Sequence, residues 1–266
     1  MSGRNGFDAS LDVVEMDLLC TFAGVAAPFP LQVPSSGASD VERRANFRAA
    51  RERLTSRGLA DDRGPRRVAA TFVHLLASSP AALDLTLAIG TGRLGATLLA
   101  FRGEALLAVS ELDRDEPVVG MVELQIDDAV DELLRLIPEL DAALTTPFTV
   151  PRRALAEVNR VLVARARTGR MGSHELDELL GAHGIDERLA RRMSMQLQPV
   201  LGNGQVGLAE CRGYAREWRR VGQELRWLDT DSGRFQLGGT AEWMSVNPLF
   251  AGELYAAIRR LAAALG

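Results

Sequence analysis

The chain has 266 residues, 47% of them hydrophobic, and a net charge of −4 from 31 basic and 35 acidic side chains. That is enough apolar material for one large or two small globular domains, and the acidic balance gives no general reason to expect nucleic acid. Every basic residue is arginine, which excludes a Walker A lysine, a protein-kinase strand lysine and a Schiff-base lysine.

The opening MSGRNGFDAS lacks the apolar stretch of a signal peptide, and the apolar region from Val68 to Gly92 is interrupted by His74, Pro80 and Asp84, so neither a leader nor a membrane span is expected. Residues 11–22, LDVVEMDLLCTF, suit a strand or a short helix, and the proline-punctuated APFPLQVPSSG after them reads as extended loop. Ser39 and Glu42 form a capping-box pattern that starts a helix running through Leu54 to about Gly58, and a second helix fits Arg66 to Ala77. The period then shortens. LDLTLAI, RLGATLLAF, EALLAVSEL and PVVGMVEL, separated by Gly/Arg/Asp turn signals, predict an antiparallel meander. After Asp127, Val130, Leu133, Leu134, Ile137 and Leu140 return to helical spacing.

The second half repeats this order. RERLTSRGLADDR aligns with LDELLGAHGIDER, pairing Glu52 with Glu178, Leu54 with Leu180 and Gly58 with Gly184. DELLRLIPELDAAL aligns with GELYAAIRRLAAAL, pairing Leu133 with Leu254, Ile137 with Ile258, Leu140 with Leu261 and Leu144 with Leu265. The expected fold class is therefore α+β: a pseudo-two-fold duplicated unit in one domain, with half-repeats at about 11–145 and 149–265 sharing a central antiparallel β-sheet flanked by helices. Such a sheet either closes on itself or leaves an edge for a homodimer.

Residues 199–211, PVLGNGQVGLAEC, place Gly202, Gly204 and Gly207 in the pattern G-x-G-x-x-G, with Glu224 about twenty residues on, as a dinucleotide loop would have it. The context runs the wrong way. Leu189, Met193 and Leu197 predict a helix before the glycines and QVGLAECR a strand after them, whereas a phosphate loop needs the strand first and a helix N-terminus after it. The stretch reads as a helix C-cap and turn into a strand, and no cofactor is expected. His74, His174 and His183 give no zinc pair, and Cys20 and Cys211 match no metal or redox spacing, so they are read as reduced thiols in a cytoplasmic protein. No nucleophile elbow is present, and the acid clusters ELDRDE and DDAVDE read as solvated structure. RGYAREWRRVGQELRW interleaves Arg212, Arg216, Arg219, Arg220 and Arg226 with Tyr214, Trp218 and Trp227. Diluted by Glu217 and Glu224, it reads as a partner-binding or connecting segment rather than a nucleic-acid surface. A small-molecule-binding or enzymatic α+β protein stays open as the alternative.

ELRWLDTDSGRFQL (224–237), PFPLQVPSSGASDVERR (28–44) and the helix-to-meander block ending in LDLTLAI resemble, in order and from about Leu11 to Leu265, the EspG family of ESX (type VII) secretion-associated proteins of mycobacteria and related actinobacteria. The most characteristic segment is W-x-D-T-x-x-G-R, carried by Trp227, Asp229, Thr230, Gly233 and Arg234. The resemblance implies a non-enzymatic cytosolic chaperone that binds a PE–PPE heterodimer at the helical tip of the PPE protein and directs it to its secretion system. It also implies a C-terminal-half helical bundle, here between Ser173 and Val200, where Met193 and Leu197 are partner-binding candidates. A contact loop is implied between the first two meander strands: Ile89, Gly90, Thr91, Gly92, Arg93, Leu94 and Gly95. A relative that has exchanged secretion for a regulatory scaffold role is a further alternative.

Overall fold

The computed structural model describes residues 6–154, 156, 173–182, 184–213 and 216–265; His183 and Tyr214, singled out above, lie outside them. In chain order the elements are β1 (Ala9–Asp12), α1 (Val13–Ala23), α2 (Asp40–Ser56), β2 (Ala60–Asp61), β3 (Gly64–Pro65), α3 (Val68–Ser78), β4 (Ala81–Ile89), β5 (Gly92–Phe101), β6 (Glu104–Glu111), β7 (Val118–Gln125), α4 (Ile126–Arg135) and β8 (Phe148–Pro151). They continue with α5 (Ser173–Ala182), α6 (Glu187–Leu197), β9 (Val200–Arg212), β10 (Glu217–Thr230), β11 (Gly233–Gly239), β12 (Trp243–Pro248) and α7 (Ala251–Ala262). All but β2 and β3 among the strands share one hydrogen-bonded sheet in the order β1-β7-β6-β5-β4-β9-β10-β11-β12-β8. Two compact units interleave along the sequence: Met1–Pro138 with Gln205–Glu224 and Tyr255–Gly266, and Glu139–Gly204 with Leu225–Leu254.

In the first unit, α1 resolves the ambiguous run 11–22. Asp12 accepts from the N–H groups of Val14 and Glu15, and Glu15 accepts from the N–H of Asp12, a reciprocal cap that satisfies donors a helix start leaves orphaned. Ser39 caps α2 through the N–H of Glu42, but the Glu42 carboxylate accepts from Ala38, one residue earlier than a capping box has it. α2 ends where Gly58 takes φ 70, with Gly58 N–H on Thr55 C=O and Leu59 N–H on Leu54 C=O, a Schellman cap. α3 starts at Val68, two residues later than its spacing predicts, because Arg67, at φ 53 and ψ −139, lies outside the helical region.

The meander β4 to β7 is antiparallel in continuous register, from Ala82 opposite Leu99 to Glu104 opposite Gln125. Alternation sends Ala82, Leu99, Leu106 and Met121 into a core with Met16, Leu19, Leu54, Phe72 and Leu75 of α1 to α3. The opposite parity, Leu83, Leu85, Leu87 and Leu98, is buried as well, and α4 contacts β5 and β6; a sheet covered on both faces reads as near-continuous apolar strands. α4 stops at Arg135, so Ile137 and Leu140 lie beyond it rather than on its face, and Pro138 follows at once.

The second unit builds its core from Phe148, Val150, Phe235 and Val246 of the strands and Ile185 and Leu197 beside and on α6. α5 ends as α2 does: Gly184 takes φ 81, with its N–H on Gly181 C=O and Ile185 N–H on Leu180 C=O. The glycine-rich stretch 199–211 needs a correction. The helix does come first, but α6 leaves the helical region at Gln198, and Gly202, Gly204 and Gly207 lie inside β9 rather than in a turn. Two of them allow close approach: a Cβ at Gly204 would overlap the indole of Trp227, and one at Gly207 the guanidinium of Arg220.

Candidate functional site

The W-x-D-T-x-x-G-R segment folds into the β10–β11 hairpin of the second unit. Its turn requires Gly233, which sits at φ 117 with the Ala143 amide 2.6 Å from where a Cβ would be. Arg234 is wholly buried and grips Asp229 with two parallel bonds, Nε to Oδ1 at 2.6 Å and Nη2 to Oδ2 at 2.9 Å. Such a pair is retained only when the geometry offsets the cost of desolvating both charges. The Arg234 backbone ties in residues 141–143, donating to Asp141 C=O at 2.8 Å and accepting from Ala143 N–H at 3.3 Å. Thr230 Oγ1 lies 2.9 Å from the carbonyl of Gln196, which docks the end of α6 on the hairpin. Trp227 is 1% exposed and its indole N–H has no acceptor among the described residues. The motif is thus a packed node, not a surface.

The segment from Ile89 to Gly95 is mostly strand. Ile89 ends β4, Gly92 to Gly95 belong to β5, and only Gly90 and Thr91 form the turn, with φ 58 at Gly90, the hairpin type with a glycine in its first position. Ile89 to Arg93 are exposed, while Leu94 is half-buried and Gly95 is buried. A Cβ at Gly95 would stand 2.7 Å from Pro30 Cγ. Of the two α6 candidates, Met193 is partly buried against the second core and Leu197 is part of it. Their four-residue spacing is the core-facing stripe of α6, and the outward methionine is Met195, 70% exposed.

A second node, in the first unit, was not anticipated. Asp84 on β4 is 1% exposed and accepts both Nη atoms of Arg220 from β10, Nη2 at 2.9 Å. Arg220 Nε also reaches Glu224 at 3.0 Å, and Gln205 Nε2 donates to the same Glu224 oxygen at 2.9 Å. Between them lies Gly207 of β9, where any Cβ would overlap the guanidinium. Burial pushes the Asp84 carboxyl up to about 6 although Arg220 opposes it, and Glu224 adds to the rise. The signals in the sequence were an acid inside the apolar run LDLTLAI and a glycine inside a strand.

This node underlies residues 24–37, which cross the sheet as a strap. Thr97 Oγ1 donates to Phe29 C=O at 3.2 Å, Trp218 Nε1 donates to Ala26 C=O at 2.9 Å, and the Arg220 guanidinium lies 5.6 Å from the Phe29 ring centre. At its far end Asp17 accepts from the Ser36 N–H and hydroxyl, both at 2.7 Å, and pairs with Arg43 at 2.9 Å. Burial works against the Asp17 carboxylate, but Ser36 and Arg43 hold it below the usual range.

Other chemistry is sparse. No group of three or more His, Cys, Asp or Glu that could hold a metal occurs among the described residues. Both cysteines are free, and burial pushes the Cys20 thiol up to about 12, far from a reactive thiolate. Of the arginine–aromatic stretch, Arg212 pairs with Glu210, Arg219 with Glu217 and Arg220 with Asp84. No helix among the described residues is long and apolar enough to cross a membrane.

The family model described as the EspG family matches residues 12–260. No curated protein matches the chain significantly. Among solved structures, the fold is similar to that of the Mycobacterium tuberculosis type VII secretion system chaperone EspG5, solved in complex with the PE25-PPE41 dimer, at a TM-score of 0.60 and 12% identity, covering 97% of this chain and 96% of that one.

Proposed function

The chain belongs to the EspG family, and we propose that it is a non-enzymatic cytoplasmic chaperone of PE–PPE heterodimers, holding the PPE helical tip and delivering the pair to a type VII secretion machinery. The observation that carries this reading is the family match across residues 12–260. It is supported by a likeness of fold, over nearly the whole chain, to a chaperone solved with such a dimer. Exposed apolar side chains such as Ile89 at the β4–β5 tip, Phe29 on the strap and Met195 on α6 offer surface of the kind that covers an aggregation-prone helical tip. The tip from Ile89 to Arg93 is the proposed contact loop, and α5 and α6 are proposed members of a C-terminal-half bundle.

The same reading takes the chain as two copies of one unit about a pseudo-two-fold, at about 11–145 and 149–265 in a single domain. In its favour, α2 and α3 precede the four strands β4 to β7 and a helix as α5 and α6 precede β9 to β12 and a helix, and the sheet order keeps its form when β1 is exchanged for β8, β7 for β12 and β4 for β9. Gly58 and Gly184 end equivalent helices with the same pair of backbone bonds, and Ser79-Pro80 and Gln198-Pro199 lead into equivalent strands.

Co-expression with each PE–PPE pair from the same genome, followed by size-exclusion chromatography with light scattering, tests the proposal. We expect one pair to become soluble and to co-elute with this chain as a 1:1:1 complex. If every pair that is soluble by itself elutes separately from the chain, the chaperone reading is wrong.

A further inference from the structure

The first unit carries a concavity of about 530 Å³ beside the β9–β10 hairpin, and Arg220 of the Asp84 node forms part of its lining. It is lined by Ala26, Ala27 and Phe29 of the strap, Ala209 of β9 and Trp218 of β10. Phe29 is 53% exposed, although its carbonyl is fixed by Thr97 and its strap by Trp218, so an aromatic face is held open to solvent on a tethered backbone.

Charge at the rim is asymmetric. Arg220 is matched by Asp84 and Glu224, and Glu217 at the rim is matched by Arg219. Arg216, which also lines the concavity, forms no ion pair among the described residues; its guanidinium donates to Cys211 Sγ at 3.8 Å, a weak acceptor. It sits at φ 50, in the left-handed region that glycine or asparagine fills at lower cost. One unmatched cation in a concavity lined by alanines and two aromatic side chains is complementary to a carboxylate next to an apolar side chain.

We propose that this concavity is the seat for an acidic–apolar pair of residues on the PE–PPE partner, with the carboxylate on Arg216 and the apolar side chain between Phe29 and Trp218. This rests on the chaperone reading above. The test is calorimetric titration of the purified chain with the PE–PPE pair it solubilises. Arg216→Glu and Phe29→Ala should each weaken binding by about tenfold or more, as anchors in a desolvated pocket do. Arg216→Lys, which keeps the charge, should stay within about threefold of the parent, and Arg44→Glu, exposed on α2 and outside the concavity, should leave binding unchanged. Thermal melts confirm that each variant is folded. If the pair binds but Arg216→Glu and Phe29→Ala bind it as the parent does, the seat is refuted while the chaperone reading stands. If no pair binds the parent, both fall. Should sedimentation show a dimer of this chain that Arg216→Glu abolishes, the concavity belongs to a second copy and the proposal is overturned.

Discussion

Asp84 shows what a single buried charge does to the pH response of this fold. Its carboxyl titrates at about 6 in the folded chain against an ordinary 3.8, so the folded state binds the proton more tightly than the unfolded one. Its contribution to stability is fully present below pH about 4 and is lost as pH rises through about 6, a swing on the order of 3 kcal/mol at most. The groups facing it are Arg220 and, through Arg220, Glu224. Asp17 and Asp61 act in the opposite sense, since their carboxyls are held below the usual range and lose their contribution as pH falls. Comparing the parent with Asp84→Asn cancels those opposing groups. Urea denaturation at pH 4.5 and 7.5 should show the parent gaining stability at the acidic value relative to the variant. An identical pH difference in both proteins would mean that Arg220 keeps Asp84 ionised throughout.

At the scale of elements, the two glycine-capped helices give a direct comparison between the halves. Gly58 and Gly184 hold φ 70 and 81, and a Cβ at either meets nothing within 4 Å. Alanine at these positions therefore meets no clash, only the left-handed backbone. Gly58→Ala and Gly184→Ala should each cost about 1 kcal/mol, within a few tenths of one another, in chemical denaturation. Unequal costs would count against equivalent caps. These caps were legible in the sequence because a Schellman ending needs only a local glycine, and the meander was legible because strands of eight to ten residues leave long apolar runs between turn signals. β1 and β8, four residues each, carry too little pattern to be read, and the β2–β3 ribbon carries less. The candidate site was less legible still. Asp84 and Arg220 meet across 136 positions of chain, and Met193 and Leu197 have the spacing of a helix face without any sign of whether that face meets a core or a partner.

For the whole molecule, the compact units do not follow the sequence halves, and this decides which fragments can fold. The first unit takes Gln205–Glu224 and Tyr255–Gly266 from the second half. Without them β4 loses its neighbour β9, Asp84 loses Arg220, and Ile258 and Leu265, both buried, are gone. A fragment of residues 1–145 would therefore expose a nine-residue apolar strand as an open edge, a template for aggregation, and leave a buried carboxylate without its cation. We expect that fragment to be insoluble when expressed alone. Co-expressed with residues 146–266, it should yield a soluble 1:1 complex, because the missing strands and helix are then supplied in trans. A soluble, cooperatively melting 1–145 would show instead that the first half completes its own core. The duplication would then describe two independent domains rather than two half-units that are stable only when joined.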